Sequence, residues 1–216
     1  MLYFNRSNSI SEVGYLSENP KQTERLKLLR FAGICGILGS VLPLVMALSA
    51  TFLSSWFSWS ENALSELGVG EQASIFNSAM LIGGVLNFLF ALGLYRYLDS
   101  GKPVRAGVFS IMLSSVSLAL VGVFTTDSIF MHGIAAFGYF MLAPTGFLLI
   151  GSGTKEGTVR KLSYGCGVGA FFAIIGLPVV FLALPFRVGF AVPELVEGLI
   201  ISAWTIYLSA RLLKPF

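Results

Sequence analysis

Six long apolar stretches divide this chain, and they constrain its fold more than any other feature of the sequence. They cover residues 31–53, 73–95, 107–125, 130–151, 164–184 and 194–213. Each is close to the ~20 residues that an α-helix, rising ~1.5 Å per residue, needs to cross the hydrocarbon core of a bilayer. The sequence therefore predicts an all-α membrane protein, built as a bundle of six transmembrane helices.

The distribution of positive charge predicts the orientation of this bundle. Of the 14 Lys and Arg residues, all except Arg187 lie before the first stretch, at or beyond the end of the last, or in the second and fourth connections. Cytoplasmic connections are enriched in Lys and Arg, so we predict a multi-pass protein of the cell membrane with its N- and C-termini in the cytoplasm. Residues 1–22 are polar and are expected to form a mobile cytoplasmic tail, which leaves 23–216 as the six-helix transmembrane domain.

Composition argues against several classes of function. Only 12% of the residues are charged, about half of what a soluble domain carries. The net charge of +3 comes from the cytoplasmic flanks, so it predicts contact with anionic membrane lipid and no binding of nucleic acid. We expect no cofactor, because the chain has no haem-ligand pair and no phosphate-binding loop. A transporter is disfavoured because no stretch has a charged residue near its middle.

The first outer connection, residues 54–71, is predicted to contain a short interfacial helix. Ser58 with Glu61 three residues later is typical of a capping box, and Gly68 is a natural helix terminator. Helical spacing places three polar residues on one face: Asn62, Ser65 and Glu66. Leu64 and Leu67 fall on the opposite face, so one edge of this helix is expected to rest in lipid.

The third connection, which is also outer, leads to the only histidine of the chain. Asp127 or Ser128 is expected to cap the fourth helix, with His132 in the first turn of that helix or just beyond. The positive end of the helix dipole favours a neutral imidazole, and Asp127 is expected to accept its ring N–H. A neutral histidine with an oriented carboxylate is the arrangement of a general base.

Two functional hypotheses follow, because nine polar or ionisable residues map to the outer face: Ser60, Glu61, Asn62, Ser65, Glu66, Asp127, His132, Glu194 and Glu197. In the first, the bundle binds a lipid or small molecule through four residues: Asn62, Glu66, Asn77 and Glu194. In the alternative, the chain is a lipid-active hydrolase or acyltransferase with three catalytic residues: the base His132, its orienter Asp127 and the nucleophile Ser65.

Simpler roles for the same residues stay open. Asp127 is explained as a helix cap, and Glu194 and Glu197 complement the positive end of the sixth helix. No metal is expected, because one His and two distant cysteines, Cys35 and Cys166, do not make a typical closed zinc site. A carboxylate-rich zinc site remains the weaker variant, with four ligands: Glu66, Asp127, His132 and Glu194.

Short motifs of the outer face resemble a known family. They are Ser60…Asn62…Ser65-Glu66-Leu67-Gly68, then Ala73…Phe76-Asn77, then Gly122-Val123-Phe124…Asp127…His132. Together they resemble a prokaryotic six-helix membrane family catalogued as domain of unknown function 998, over roughly residues 30–213. Members often carry a proline after the Gly-x-Phe, where this chain has Thr125. The arrangement also looks distantly like the eukaryotic six-span family of the DRAM autophagy modulators and the factor that remodels lipid on GPI anchors, which implies a lipid-facing role.

Overall fold

A computed structural model describes residues 20–98, 101–183 and 188–214. Within these ranges six helices are long and apolar enough to cross a membrane, which confirms the predicted fold class. They are α1 (Pro20–Leu53), α2 (Ala73–Tyr97), α3 (Lys102–Val123), α4 (Ile129–Gly153), α5 (Gly157–Phe181) and α6 (Ala191–Leu213). Helix α1 begins at Pro20, so it takes in the last three residues of the predicted tail. Residues 1–19 of that tail, and Arg187, lie outside the described ranges.

The six helices form a closed ring. Each packs against its neighbours in sequence, and α6 returns to pack against α1. An even number of spans brings the start of α1 and the end of α6 to one side, the terminal face. The opposite side, the loop face, carries a short 3₁₀ helix, Leu64–Gly68. Helix α5 is peripheral. Of its most apolar 18-residue segment, 17% of the residues are buried, against 33–44% in the corresponding segments of the other five helices.

The short helix of the first loop differs from the predicted amphipathic helix. It begins at Leu64 rather than after Ser58, and it is one turn of 3₁₀ helix. The predicted edge in lipid is wrong, because Leu64 and Leu67 are both buried in the apolar core at the loop face. Because these two leucines are buried, the loop enters the opening of the helix ring at the loop face. Local periodicity alone cannot predict this, because it does not show which surface the apolar side of a helix packs against.

Glycines let α3 and α4 cross in backbone contact. A Cβ atom on Gly107 would lie 2.6 Å from the carbonyl oxygen of Gly146. A Cβ atom on Gly146 would lie 2.7 Å from the carbonyl oxygen of Gly107. Each glycine therefore occupies the space that a side chain on the other would need, as is common where membrane helices pack closely.

A proline in α1 creates a hydrogen bond between α1 and α2. Pro43 has no N–H, so the carbonyl of Gly39, four residues earlier, has no helical donor. The side-chain amide of Asn87 in α2 donates to this carbonyl at 2.9 Å. The polar group freed by the proline is thus satisfied inside the apolar bundle, as a membrane interior requires.

One tryptophan joins three helices near the centre of the ring. Trp204 of α6 is fully buried. Its ring stacks on Phe147 of α4, with centroids 4.2 Å apart. Its indole N–H donates to the hydroxyl of Ser163 in α5 at 2.9 Å. This contact is one of those that tie the peripheral α5 to the core.

Candidate functional site

The 3₁₀ helix at the loop face is shaped by its own polar side chains. Glu66 Oε1 accepts the backbone N–H of Ala63 at 2.9 Å, and its Oε2 accepts the side-chain amide of Asn62 at 2.7 Å. The amide oxygen of Asn62 in turn accepts the N–H of Ser58 at 2.9 Å. Glu66, and not the predicted Ser58 and Glu61, therefore caps this turn.

Two transmembrane helices hold the 3₁₀ helix from below. Glu194, in the first turn of α6, accepts the backbone N–H of Leu64 at 2.6 Å and also that of Ser65. Asn77 of α2 donates its amide to the carbonyl of Gly68 at 2.9 Å. All four residues predicted to bind a ligand thus meet around one short helix, where each has a structural contact.

The segment between α5 and α6 is hydrogen-bonded to the first loop. The N–H of Gly189 donates to the carbonyl of Trp59, and the N–H of Ala191 donates to the carbonyl of Asn62, both at 3.0 Å. A Cβ atom on Gly189 would lie 2.6 Å from the Asn62 oxygen, so only glycine permits this close approach. The loop between α1 and α2 and the segment between α5 and α6 therefore together cover the helix ring at the loop face.

A cavity of about 90 Å³ lies under the 3₁₀ helix, inside the ring. Its walls come from α1, α2, α3, α4, α6 and the 3₁₀ helix, and most of them are apolar. Six polar residues also line it: Ser40, Ser65, Asn87, Tyr139, Glu194 and Ser202. From Glu194 to Ser202 the cavity follows α6 for eight residues, or about 12 Å. It is therefore narrow and elongated, with a carboxylate at the end nearest the loop face.

A buried carboxylate stands beside this cavity, and sequence reasoning did not select it. Glu197 is 0% exposed, and neither of its carboxylate oxygens has a hydrogen-bond partner among the described residues. It lies one turn below Glu194 and directly before Gly198; both of these residues line the cavity, whereas Glu197 itself is not among the lining residues. The signal was present in the sequence, because an ionisable residue inside an apolar helix is by default a candidate for function.

The predicted hydrogen bond between Asp127 and His132 is wrong. His132 is buried, and its Nδ1–H donates to the carbonyl of Phe124 at 2.7 Å. Phe124 follows the last turn of α3, where a carbonyl has no helical donor and accepts readily. Asp127 is exposed, and Ser128 occupies the N-cap of α4 without a side-chain bond.

The three residues predicted to be catalytic are not joined by hydrogen bonds in the described part of the chain. Ser65 lines the cavity, whereas His132 and Asp127 do not. A catalytic role for the three stays a prediction. The zinc variant has no geometric support, because no three His, Cys, Asp or Glu side chains in the described ranges are placed to hold a metal.

A comparison with known protein families found one that matches most of the chain. A sequence profile described as "Protein of unknown function (DUF998)" matches residues 37–211. This match confirms the resemblance of the outer-face motifs to domain of unknown function 998. No curated protein and no solved structure matches the chain.

Proposed function

The chain belongs to the DUF998 family, and from this premise we propose that it binds an amphiphile, a lipid or a small molecule, inside its helix ring. The observation that carries the proposal is the elongated apolar cavity with Glu194 and Ser65 at one end. Ligand sites in proteins are typically concave, mostly apolar, and equipped with a few polar groups that fix orientation. This cavity has all three properties.

The shape of the cavity suits a molecule with an extended hydrocarbon chain. Its length of about 12 Å along α6 and its small volume leave room for one chain and no bulky ring. Apolar walls match such a chain, and polar groups at the loop face match a head group. Glu194 has further lone pairs beyond the two backbone N–H groups that it accepts, so it can still bind a donor on the ligand.

Filling the cavity should abolish binding without unfolding the protein. Gly198 lines the cavity, and a Cβ atom there would meet Leu44 at an ordinary 3.7 Å. In Gly198→Leu the new side chain occupies the space of the ligand chain, while the helix loses an unfavourable glycine. We expect octan-1-ol, titrated into the protein in nonionic detergent, to bind wild type and raise its melting temperature, and to do neither for the variant.

Gly165→Leu is the matched control for this experiment. Gly165 lies in α5, and a Cβ atom there would have no neighbour within 4 Å. The change adds the same side chain and the same helix propensity without touching the cavity, so binding of octan-1-ol should be unaltered. Equal binding by wild type and Gly198→Leu would place the alcohol elsewhere and overturn the proposed function.

We also propose that the loop face is the outer face of the cell membrane. The described Lys and Arg residues gather at the terminal face, as the positive-inside rule requires of a cytoplasmic side. In intact cells a membrane-impermeant maleimide should label Glu71→Cys, which is exposed beside the 3₁₀ helix, and should not label Gly101→Cys in the connection between α2 and α3. The reverse pattern would invert the orientation.

A further inference from the structure

We propose that the ligand carries a protonated amine, and that Glu197 is the group that recognises it. This inference rests on the proposed function and names the chemical class of the ligand. Two carboxylates, Glu194 and Glu197, lie one turn apart on α6. No Lys, Arg or His forms an ion pair with either of them within the described ranges. Among the described residues, the first turns of α6 therefore carry two carboxylates and no cation paired with them.

Glu197 has no hydrogen-bond donor or cation among the described residues, so a ligand could supply one. The contacts of Glu194 to the 3₁₀ helix explain its burial, whereas both oxygens of Glu197 are buried without a donor. A buried carboxylate with no partner costs several kcal/mol in an ionised state unless a cation or hydrogen-bond donors compensate it. The protein supplies neither among its described residues. A cationic group entering the cavity would supply both.

The donor geometry favours an ammonium group over a metal ion. An ammonium has three N–H donors. The acceptors on this turn of α6 are the two unpartnered oxygens of Glu197 and the remaining lone pairs of Glu194, and Tyr139 adds a hydroxyl to the cavity wall. A metal ion would need three or more ligating side chains held together, and the described residues offer no such group. The apolar remainder of the cavity then accommodates the carbon chain of the amine.

Three eight-carbon amphiphiles that differ only in the head group test this inference. Octylamine, octan-1-ol and octanoate are titrated separately into wild type in nonionic detergent, at constant ionic strength. We expect octylamine to bind at least about tenfold more tightly than octan-1-ol, because a charge-assisted hydrogen bond replaces a neutral one. Octanoate should bind most weakly, because Glu194 lines the cavity and Glu197 lies one turn below it, so a further carboxylate is disfavoured.

Glu197→Gln should remove the preference for the amine and retain the cavity. We expect its affinity for octylamine to fall about tenfold, to the level of octan-1-ol, while octan-1-ol binds as in wild type. Glu61→Gln is the matched control, since it removes one exposed carboxylate at the same face. Its affinity for octylamine should not change. A second arm presents dodecylamine in phosphatidylcholine vesicles, and it shows whether the amine enters from the bilayer or from water.

The outcomes separate the two proposals. If none of the three amphiphiles binds, the proposed function fails. If all three bind equally, or if Glu197→Gln leaves the preference for octylamine intact, the cavity binds amphiphiles but the amine inference is wrong. Stabilisation of wild type by sodium chloride alone, abolished in Glu197→Gln, would assign Glu197 to an inorganic cation and also overturn it.

Discussion

Gly107→Val is expected to separate α3 from α4 and to prevent the protein from folding stably in detergent. The new Cβ atom would lie 2.6 Å from the carbonyl oxygen of Gly146 and 2.9 Å from the backbone nitrogen of Ile150. Backbone atoms cannot rotate away, so the two helices must move as bodies and lose their contact along the crossing. We expect a loss of about 3 kcal/mol or more in the free energy of unfolding, measured by denaturant titration with circular dichroism.

Gly133→Val is the control for this prediction. It introduces the same β-branched residue into α4, at a glycine where a Cβ atom would have no neighbour within 4 Å. Any penalty from valine in a helix is common to both variants. A loss of stability in Gly133→Val that equals the loss in Gly107→Val would show that the close helix crossing does not matter.

Trp204→Ala is expected to produce the second largest loss of stability. The substitution removes the ring that stacks on Phe147 and leaves a cavity at the centre of the bundle. It also leaves the fully buried hydroxyl of Ser163 without its donor. Truncation of a buried Trp to Ala costs about 3–5 kcal/mol. The melting temperature in detergent and the denaturation midpoint should both fall accordingly.

Trp204→Phe divides this loss into its two components. Phenylalanine retains an aromatic ring against Phe147 but cannot donate to Ser163. We expect a loss of about 1–2 kcal/mol from the broken hydrogen bond and the smaller ring. If Phe and Ala destabilise the protein equally, stacking contributes little and the contact with Ser163 dominates.

The transmembrane helices were predictable from sequence because the bilayer sets their length. A run of ~20 apolar residues has few alternatives in lipid, where every backbone polar group must be satisfied within the protein. The limits of the helices were less accurate. Helix α1, for example, begins at Pro20, three residues before the predicted start of the helical domain at residue 23. Hydropathy predicts which residues of a helix lie in lipid, but it does not predict the residue at which the helix starts outside the lipid.

The loop face was harder to predict because contacts between distant residues determine it. Glu194 accepts the N–H of Leu64 across 130 residues of sequence and so fixes where the 3₁₀ helix begins. Local capping signals at Ser58 and Glu61 favour a different start, and the long-range contact overrides them. The error at His132 has a local cause, because the carbonyl of Phe124, eight residues earlier at the end of α3, accepts the ring N–H in place of the Asp127 carboxylate.

The contact between α1 and α6 has a consequence for biosynthesis. These are the first and last helices of the chain, so the ring can close only when α6 has entered the membrane. Until then the nascent chain has neither Glu194 to anchor the 3₁₀ helix nor Trp204 to anchor α5. Five inserted helices would therefore be an open, incompletely packed intermediate, dependent on contacts of high sequence separation that form late. Closure of the cavity must await synthesis of α6 (Ala191–Leu213), which supplies part of its wall.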